Sequence, residues 1–155
     1  MSFIDRLISI SRRRSPWICR LNGGSCNGCD IEITPCLSPR YDVEQIGVEF
    51  HGTPKHADII LISGTLTVRT RQAILDVYAQ VPNPKAVVAI GSCPASGNVF
   101  ADSPFVLGTS LDTIVPVDVW VPGCPPRPQL IIEGIRRAAA LLESGMTKSQ
   151  IERRP

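Results

Sequence analysis

What this chain of 155 residues lacks narrows the field first. Its longest stretch without a charged residue, Ala86 to Ala101, is interrupted by a proline, two glycines and three polar residues. It is also shorter than the roughly 18–20 apolar residues that a membrane-spanning helix needs. The opening MSFIDRLISISRRR places Asp5 and Arg6 where a secretory signal requires an apolar core, and its arginines follow the apolar residues. The chain is therefore expected to stay in the cytoplasm, where structural disulfides are rare. Aromatic residues make up only 5%, which argues against nucleic-acid binding. With two histidines there is no histidine-rich metal site. No internal repeat or low-complexity tract is present.

What is there fits one α/β domain. Hydrophobic residues make up 43% of the chain, enough for a packed interior, and 14 prolines with 12 glycines imply many turns. Charge is unevenly spread. Residues 1–20 carry five arginines and one aspartate, residues 136–155 five basic and two acidic groups, and the stretch between them is net acidic. The expected organisation is a basic amphipathic segment at 1–14, a domain at 15–145 and a basic C-terminal tail at 146–155. In the first segment Phe3, Ile4, Leu7 and Ile8 share one helical face. That face suits an anionic membrane surface or a membrane subunit, and a solvated chain end explains it equally well.

Short apolar runs alternate with helical patterns. Strands are expected at 15–22, 46–50, 58–63 (DIILIS), 86–90 (AVVAI) and 114–121. Helices are expected at 29–37, 69–80 and 127–142, the last opened by prolines that suit a first turn. Continuously apolar strands followed by loops and helices point to a parallel sheet covered on both faces. Sites in such sheets form beyond the carboxyl ends of the strands.

Six cysteines remain to be placed. Cys26 and Cys29 form a C-x-x-C after the first strand. Cys93 lies in Gly91-Ser92-Cys93-Pro94 after the fourth, and Cys124 lies in Pro122-Gly123-Cys124-Pro125-Pro126 after the fifth. Three chain segments would thus bring four thiols to one sheet edge. Four thiolates are the usual ligand set of a 4Fe–4S cluster. A four-cysteine zinc site is the alternative, although structural zinc sites usually use two short knuckles, and here the second pair is spread along the chain. Unrelated buried cysteines are the third reading. Cys19 and Cys36, outside any Gly/Pro loop, are assigned to packing.

The runs GGSCNGCDIE, AIGSCPASGNVF and VPVDVWVPGCPPRPQLIIEGI resemble the small subunit of nickel–iron hydrogenases, above all the membrane-bound energy-converting branch related to the 20 kDa (B) subunit of complex I. The likeness covers about residues 15–145. It implies a flavodoxin-like α/β fold, a single domain with helices on both faces of a parallel sheet. It also implies one 4Fe–4S cluster held by Cys26, Cys29, Cys93 and Cys124, proximal to a nickel–iron site on a separate large subunit. Further partners would be a ferredoxin-type iron–sulfur subunit and integral membrane subunits, with the chain peripheral on the cytoplasmic face of the membrane. The related quinone-reducing subunit has adjacent cysteines where this chain has Cys26-x-x-Cys29, which favours the hydrogenase side. Uptake-type small subunits carry an exported signal and a C-terminal region for more clusters, and this sequence shows neither. Two alternatives stay open: an equivalent 4Fe–4S subunit of a complex I-like quinone- or sulfur-reducing oxidoreductase, and a zinc-stapled interaction domain.

Other residues have a plain reading beside a functional one. Glu32, three residues after Cys29, suits a proton path or a subunit interface, or a carboxylate favoured by the helix start. Asp30 is read as a helix-start carboxylate. His51 and His56 are expected to be exposed. Arg127 could neutralise an anionic centre or be a solvated first-turn residue. The hydroxyls of Ser63-Gly64-Thr65-Leu66-Thr67 either lie near the centre or cap the helix that follows, with capping the simpler reading. A cluster close to a partner's active site also implies a broad apolar docking face.

Overall fold

The structure is a computed structural model that describes residues 15–151. The basic segment expected at 1–14 lies outside the described residues. Five parallel strands form one sheet: β1 (Trp17–Asn22), β2 (Glu49–Phe50), β3 (Ile59–Ser63), β4 (Ala86–Ile90) and β5 (Val119–Val121). Their spatial order is β2-β1-β3-β4-β5. This is the flavodoxin-like order, with the switch of direction between β1 and β3. Helices α1 (Gly28–Ile33), α2 (Thr70–Gln80), α3 (Cys93–Ser96), α4 (Pro128–Ser144) and α5 (Lys148–Ile151) complete the chain.

Strands β3 and β4 are buried at every residue, as their unbroken apolar sequences require. Successive side chains point to opposite faces, so each strand feeds two cores. Ile59, Leu61, Val88 and Ile90 join Ile33 of α1 and Ile131, Ile135 and Ala138 of α4. Ile60, Ile62, Val87 and Ala89 join Ile74 of α2 and Leu111, Val115 and Val117 of the long loop before β5. Cys19 packs in the second core and Cys36 in the first, both buried. Helix α4 lies so close to the sheet that a Cβ on Gly134 would stand 2.4 Å from Val121 Cγ2.

Two expected strands are shorter than the sequence suggested. The run 114–121 forms a strand only at Val119–Val121. Ile114 and Val115 donate their N–H groups to Leu111 in a turn, Pro116 has no N–H, and Val117 N–H donates to the Asp112 carboxylate at 2.8 Å. The run 46–50 pairs only at Glu49–Phe50, because Gly47 closes a turn with φ of 82°. Residues 146–149, where the basic tail was expected to begin, lie against the body. Thr147 is fully buried, Ser149 Oγ donates to Lys85 O at 2.7 Å, and Lys148 N–H donates to Asp118 at 2.6 Å. Lys148 Nζ stands 2.6 Å from the Asp112 carboxylate. Lys85 is itself buried, with Nζ donating to the Tyr78 and Val81 carbonyls at the end of α2.

Candidate functional site

Strand register assembles the site. Asn22 pairs with Ser63, Ser63 with Ile90, and Ile90 with Val121, so four strands end in one row. The chain then leaves through Gly23, Gly64, Gly91 and Pro122-Gly123. The cysteine-bearing loops follow from three of those exits, and the fourth, after β3, packs beneath the first. A Cβ on Gly64 would stand 2.2 Å from the Ser25 nitrogen, so the β3 exit touches the loop that leads to Cys26. The β4 and β5 exits are tied together: Ser92 N–H and Oγ both donate to Gly123 O, at 2.8 and 3.2 Å.

The loops that carry the four predicted thiols leave from this edge. Cys29 and Cys93 are buried, whereas Cys26 and Cys124 are exposed. Gly91 has φ of 91°, and a Cβ there would lie 2.7 Å from Cys29 Sγ, so the β4 exit and the α1 thiol are in direct apposition. Asn98 Nδ2 donates to Cys124 Sγ at 3.3 Å. Burial pushes the Cys29 thiol up to about 11, helped by its neighbours Cys93, Cys26 and Cys124 and then by Asp30. Cys93 is pushed up by burial and by Cys124 and Cys26, against a hydrogen bond from Asn98 that lowers it. Burial and neighbouring sulfurs thus oppose ionisation of Cys29 and Cys93, and a strongly cationic centre would stabilise both as thiolates. No group of three or more His, Cys, Asp or Glu side chains among the described residues is gathered closely enough to hold one metal ion. A tetrahedral zinc would need all four sulfurs at about 2.3 Å from a single point.

Asp30 is a first-turn carboxylate of α1, as expected, and it is also almost fully buried. Its carboxylate accepts from Asn22 Nδ2 at 2.7 Å and Ser63 Oγ at 3.0 Å, and Arg20 stands 3.5 Å away. Asn22 Oδ1 in turn accepts the N–H groups of Gly24 and Ser25, at 2.9 and 2.8 Å. Asp30 thus braces the strand ends beneath the C-x-x-C loop. The available signal was three polar residues, Asn22, Asp30 and Ser63, at the ends of otherwise apolar elements.

The remaining candidates resolve more simply. Glu32 is half-buried on α1, and its carbonyl lies 3.6 Å from Cys36 Sγ. His51 is not exposed as expected, because its ring stacks on Trp17 at 3.9 Å and Nε2 lies 3.1 Å from Glu49; His56 is exposed. Arg127 is exposed at the start of α4, with its carbonyl accepting from Leu130 and Ile131. Thr67 and Thr70 cap α2 reciprocally, each N–H donating to the other's Oγ1 at 3.1 Å. Thr65 Oγ1 donates instead to Gly24 O at 3.3 Å, on the cysteine loop. Helix α1 and the loops that follow the strand ends carry exposed apolar side chains: Ile31 on α1 and Val68, both 61% exposed, Val99 at 83% and Phe105 at 75%. Among the described residues, no helix is long and apolar enough to cross a membrane.

Known proteins resemble this chain. The family described as NADH ubiquinone oxidoreductase, 20 Kd subunit, matches residues 26–138. The "probable membrane-bound hydrogenase subunit mbhJ" of Pyrococcus furiosus is 55% identical over 122 residues, which is 79% of this chain and 72% of that protein. Formate hydrogenlyase subunit 7 of Escherichia coli is 43% identical over 131 residues, 84% of this chain and 51% of that protein. Among solved structures, an archaeal membrane-bound sulfane sulfur reductase contains a similar chain, with TM-score 0.79 and 36% identity over 91% of this chain and 77% of that one.

Proposed function

The chain belongs to the family of the NADH ubiquinone oxidoreductase 20 Kd subunit and is an oxidoreductase subunit; from that premise we propose that it is the electron-transfer small subunit of a membrane-bound nickel–iron hydrogenase complex. Cys26, Cys29, Cys93 and Cys124 would hold one 4Fe–4S cluster, which supplies one-electron transfer when bound. The observation that carries this reading is the convergence of thiols from three strand exits on one edge, with Gly91 leaving room for Cys29. The chain's own residues do the holding. Asn22 fixes the loop before Cys26, Ser92 joins the Cys93 and Cys124 loops, and the two cores set all three on one rigid frame.

Ile31, Val68, Val99 and Phe105 surround that edge and suit an apolar large subunit carrying the nickel–iron site. Docking there excludes water from the centre and shortens the path to the active site. Electrons then pass between that site and a ferredoxin-type subunit, with the complex anchored by integral membrane subunits at the cytoplasmic face. Glu32, half-buried on α1, would serve this subunit interface or a proton path beside it.

Anaerobic co-purification with iron, labile sulfide and zinc analysis tests the proposal. One 4Fe–4S equivalent per chain is expected. One zinc equivalent with no iron would overturn it in favour of a zinc-stapled domain. The likeness to the sulfane sulfur reductase chain favours a second reading, in which the same cluster serves a large subunit that has lost nickel. Two C-x-x-C pairs in the accompanying large-subunit sequence would decide for the hydrogenase; their absence would decide for the sulfur- or quinone-reducing enzyme.

A further inference from the structure

Two side chains outside the proposed ligand set flank the thiol loops with opposite chemistry, Asn98 in contact with Cys124 and Asp30 next to Cys29 in the chain. Asn98 opens the turn after α3 with φ of 48°, in the left-handed region that asparagine tolerates. Its N–H is received by Ser96 Oγ at 3.3 Å, and its amide nitrogen donates to Cys124 Sγ at 3.3 Å. Asp30 follows Cys29 directly and places a carboxylate, with a side chain only 5% exposed, beneath the opposite side of the cradle. Its two neutral donors, Asn22 and Ser63, hold it there, and the cation paired with it among the described residues, Arg20, has a side chain 43% exposed, where water screens it.

We propose that Asn98 and Asp30 are opposed positioning residues that tune the reduction potential of the centre held by Cys26, Cys29, Cys93 and Cys124, the amide of Asn98 raising it and the carboxylate of Asp30 lowering it. The inference rests on the 4Fe–4S reading above. A donor to a ligand sulfur stabilises the more electron-rich, reduced centre. A buried anion opposes the added electron, and low local polarity lets that opposition reach further than it would in water. Neither side chain needs to bind iron for this.

The test is a redox titration of the complex followed by electron paramagnetic resonance. The signal lost in Cys93→Ser identifies this chain's centre. Asn98→Gly keeps the left-handed turn and removes the donor, so the potential should move to more negative values. Asp30→Asn keeps the shape and removes the charge. Its amide oxygen can accept from Asn22, and its NH2 can donate to Ser63 Oγ. The potential should then move to more positive values. Arg20→Gln, out at the surface, leaves the Asp30 charge less compensated and should give a negative shift. Asp76→Asn, on the exposed side of α2 beside Gln72, should give none. Opposite shifts with wild-type iron and sulfide content establish the pair. Shifts of the same sign for N98G and D30N, or no shift in loaded protein, overturn it. If D30N fails to load, R20Q decides the Asp30 half: an unchanged potential overturns that half. A wild-type complex with no iron or sulfide in this chain would instead sink the cluster reading itself.

Discussion

Replacing Gly91 with alanine tests how tightly the cradle is built. The new Cβ would stand 2.7 Å from Cys29 Sγ, where carbon atoms in comfortable contact are about 3.5–4.0 Å apart. The sulfur must therefore retreat by about 1 Å or the β4 exit must move by as much. Metal ligands tolerate only about 0.2 Å of misplacement. Retreat is closed to the exit loop, because Ser92 is bonded twice to Gly123 and Gly91 N–H donates to Val121 O at 2.8 Å. The backbone adds a second cost: φ of 91° suits glycine, and an L side chain in left-handed space costs about 1–2 kcal/mol. The expected outcome is a chain that still folds, at reduced stability, yet carries little iron or sulfide. Metal and sulfide analysis with far-ultraviolet circular dichroism on the same sample separates the two effects. Gly52→Ala is the control, since nothing lies within 4 Å of its added Cβ. It should change stability by less than about 0.5 kcal/mol and leave metal content alone. Full cluster content in G91A would refute the claim that Cys29 and the β4 exit are held in mutual contact around the centre.

Other outcomes follow from the same packing. Gly134→Ala puts a Cβ 2.4 Å from Val121 and should destabilise the fold by about 1–3 kcal/mol in urea unfolding, by lifting α4 off β5. Lys85→Met strips the donor from the Tyr78 and Val81 carbonyls and should cost about 1–3 kcal/mol by the same assay, more than any single exposed lysine. Asp112 and Asp118 should give opposite pH signatures. The Lys148 side chain and the Val117 N–H hold the Asp112 carboxyl below its ordinary range, so its contribution is present above that range and lost as pH falls through its folded value. Burial raises Asp118 despite the Lys148 and Val87 N–H groups, so its ionisation weighs against the fold above its ordinary range and protonation relieves it. Thermal melts between pH 7 and pH 3 should therefore show D112N less acid-sensitive than wild type and D118N more so. The isolated chain should self-associate, because Val99 and Phe105 stand exposed at the docking edge; a monodisperse monomer in light scattering would argue against an obligate partner.

Much of this was legible in the chain because the signals are local. The apolar runs at 59–63 and 86–90 can be little other than buried parallel strands, and a glycine directly after each marks the exit. The thiol set was legible for the same reason, since each cysteine lies within a few residues of such an exit. What escaped depends on partners distant in sequence. Asp30 reads as no more than a helix-start carboxylate until Ser63, 33 residues away, is seen to donate to it. His51 reads as a surface histidine until Trp17 stacks beneath it. The apolar stretch before β5 looks like strand, yet its N–H groups are taken by Leu111 and Asp112. Helix α3 spans only four residues, too few for any periodicity to appear.

The row of strand ends also has a temporal meaning. Cys26 and Cys29 emerge from the ribosome early, Cys93 midway, and Cys124 hangs from β5, the last strand to be made. Until β5 has docked beside β4, the fourth sulfur has no place in the row, and α4, whose Gly134 packs on Val121, is made later still. A chain halted before residue 119 would expose two or three thiols and no closed cradle. On the proposed cluster reading, iron and sulfide would meet a complete set of four sulfurs only after β5 has joined the sheet.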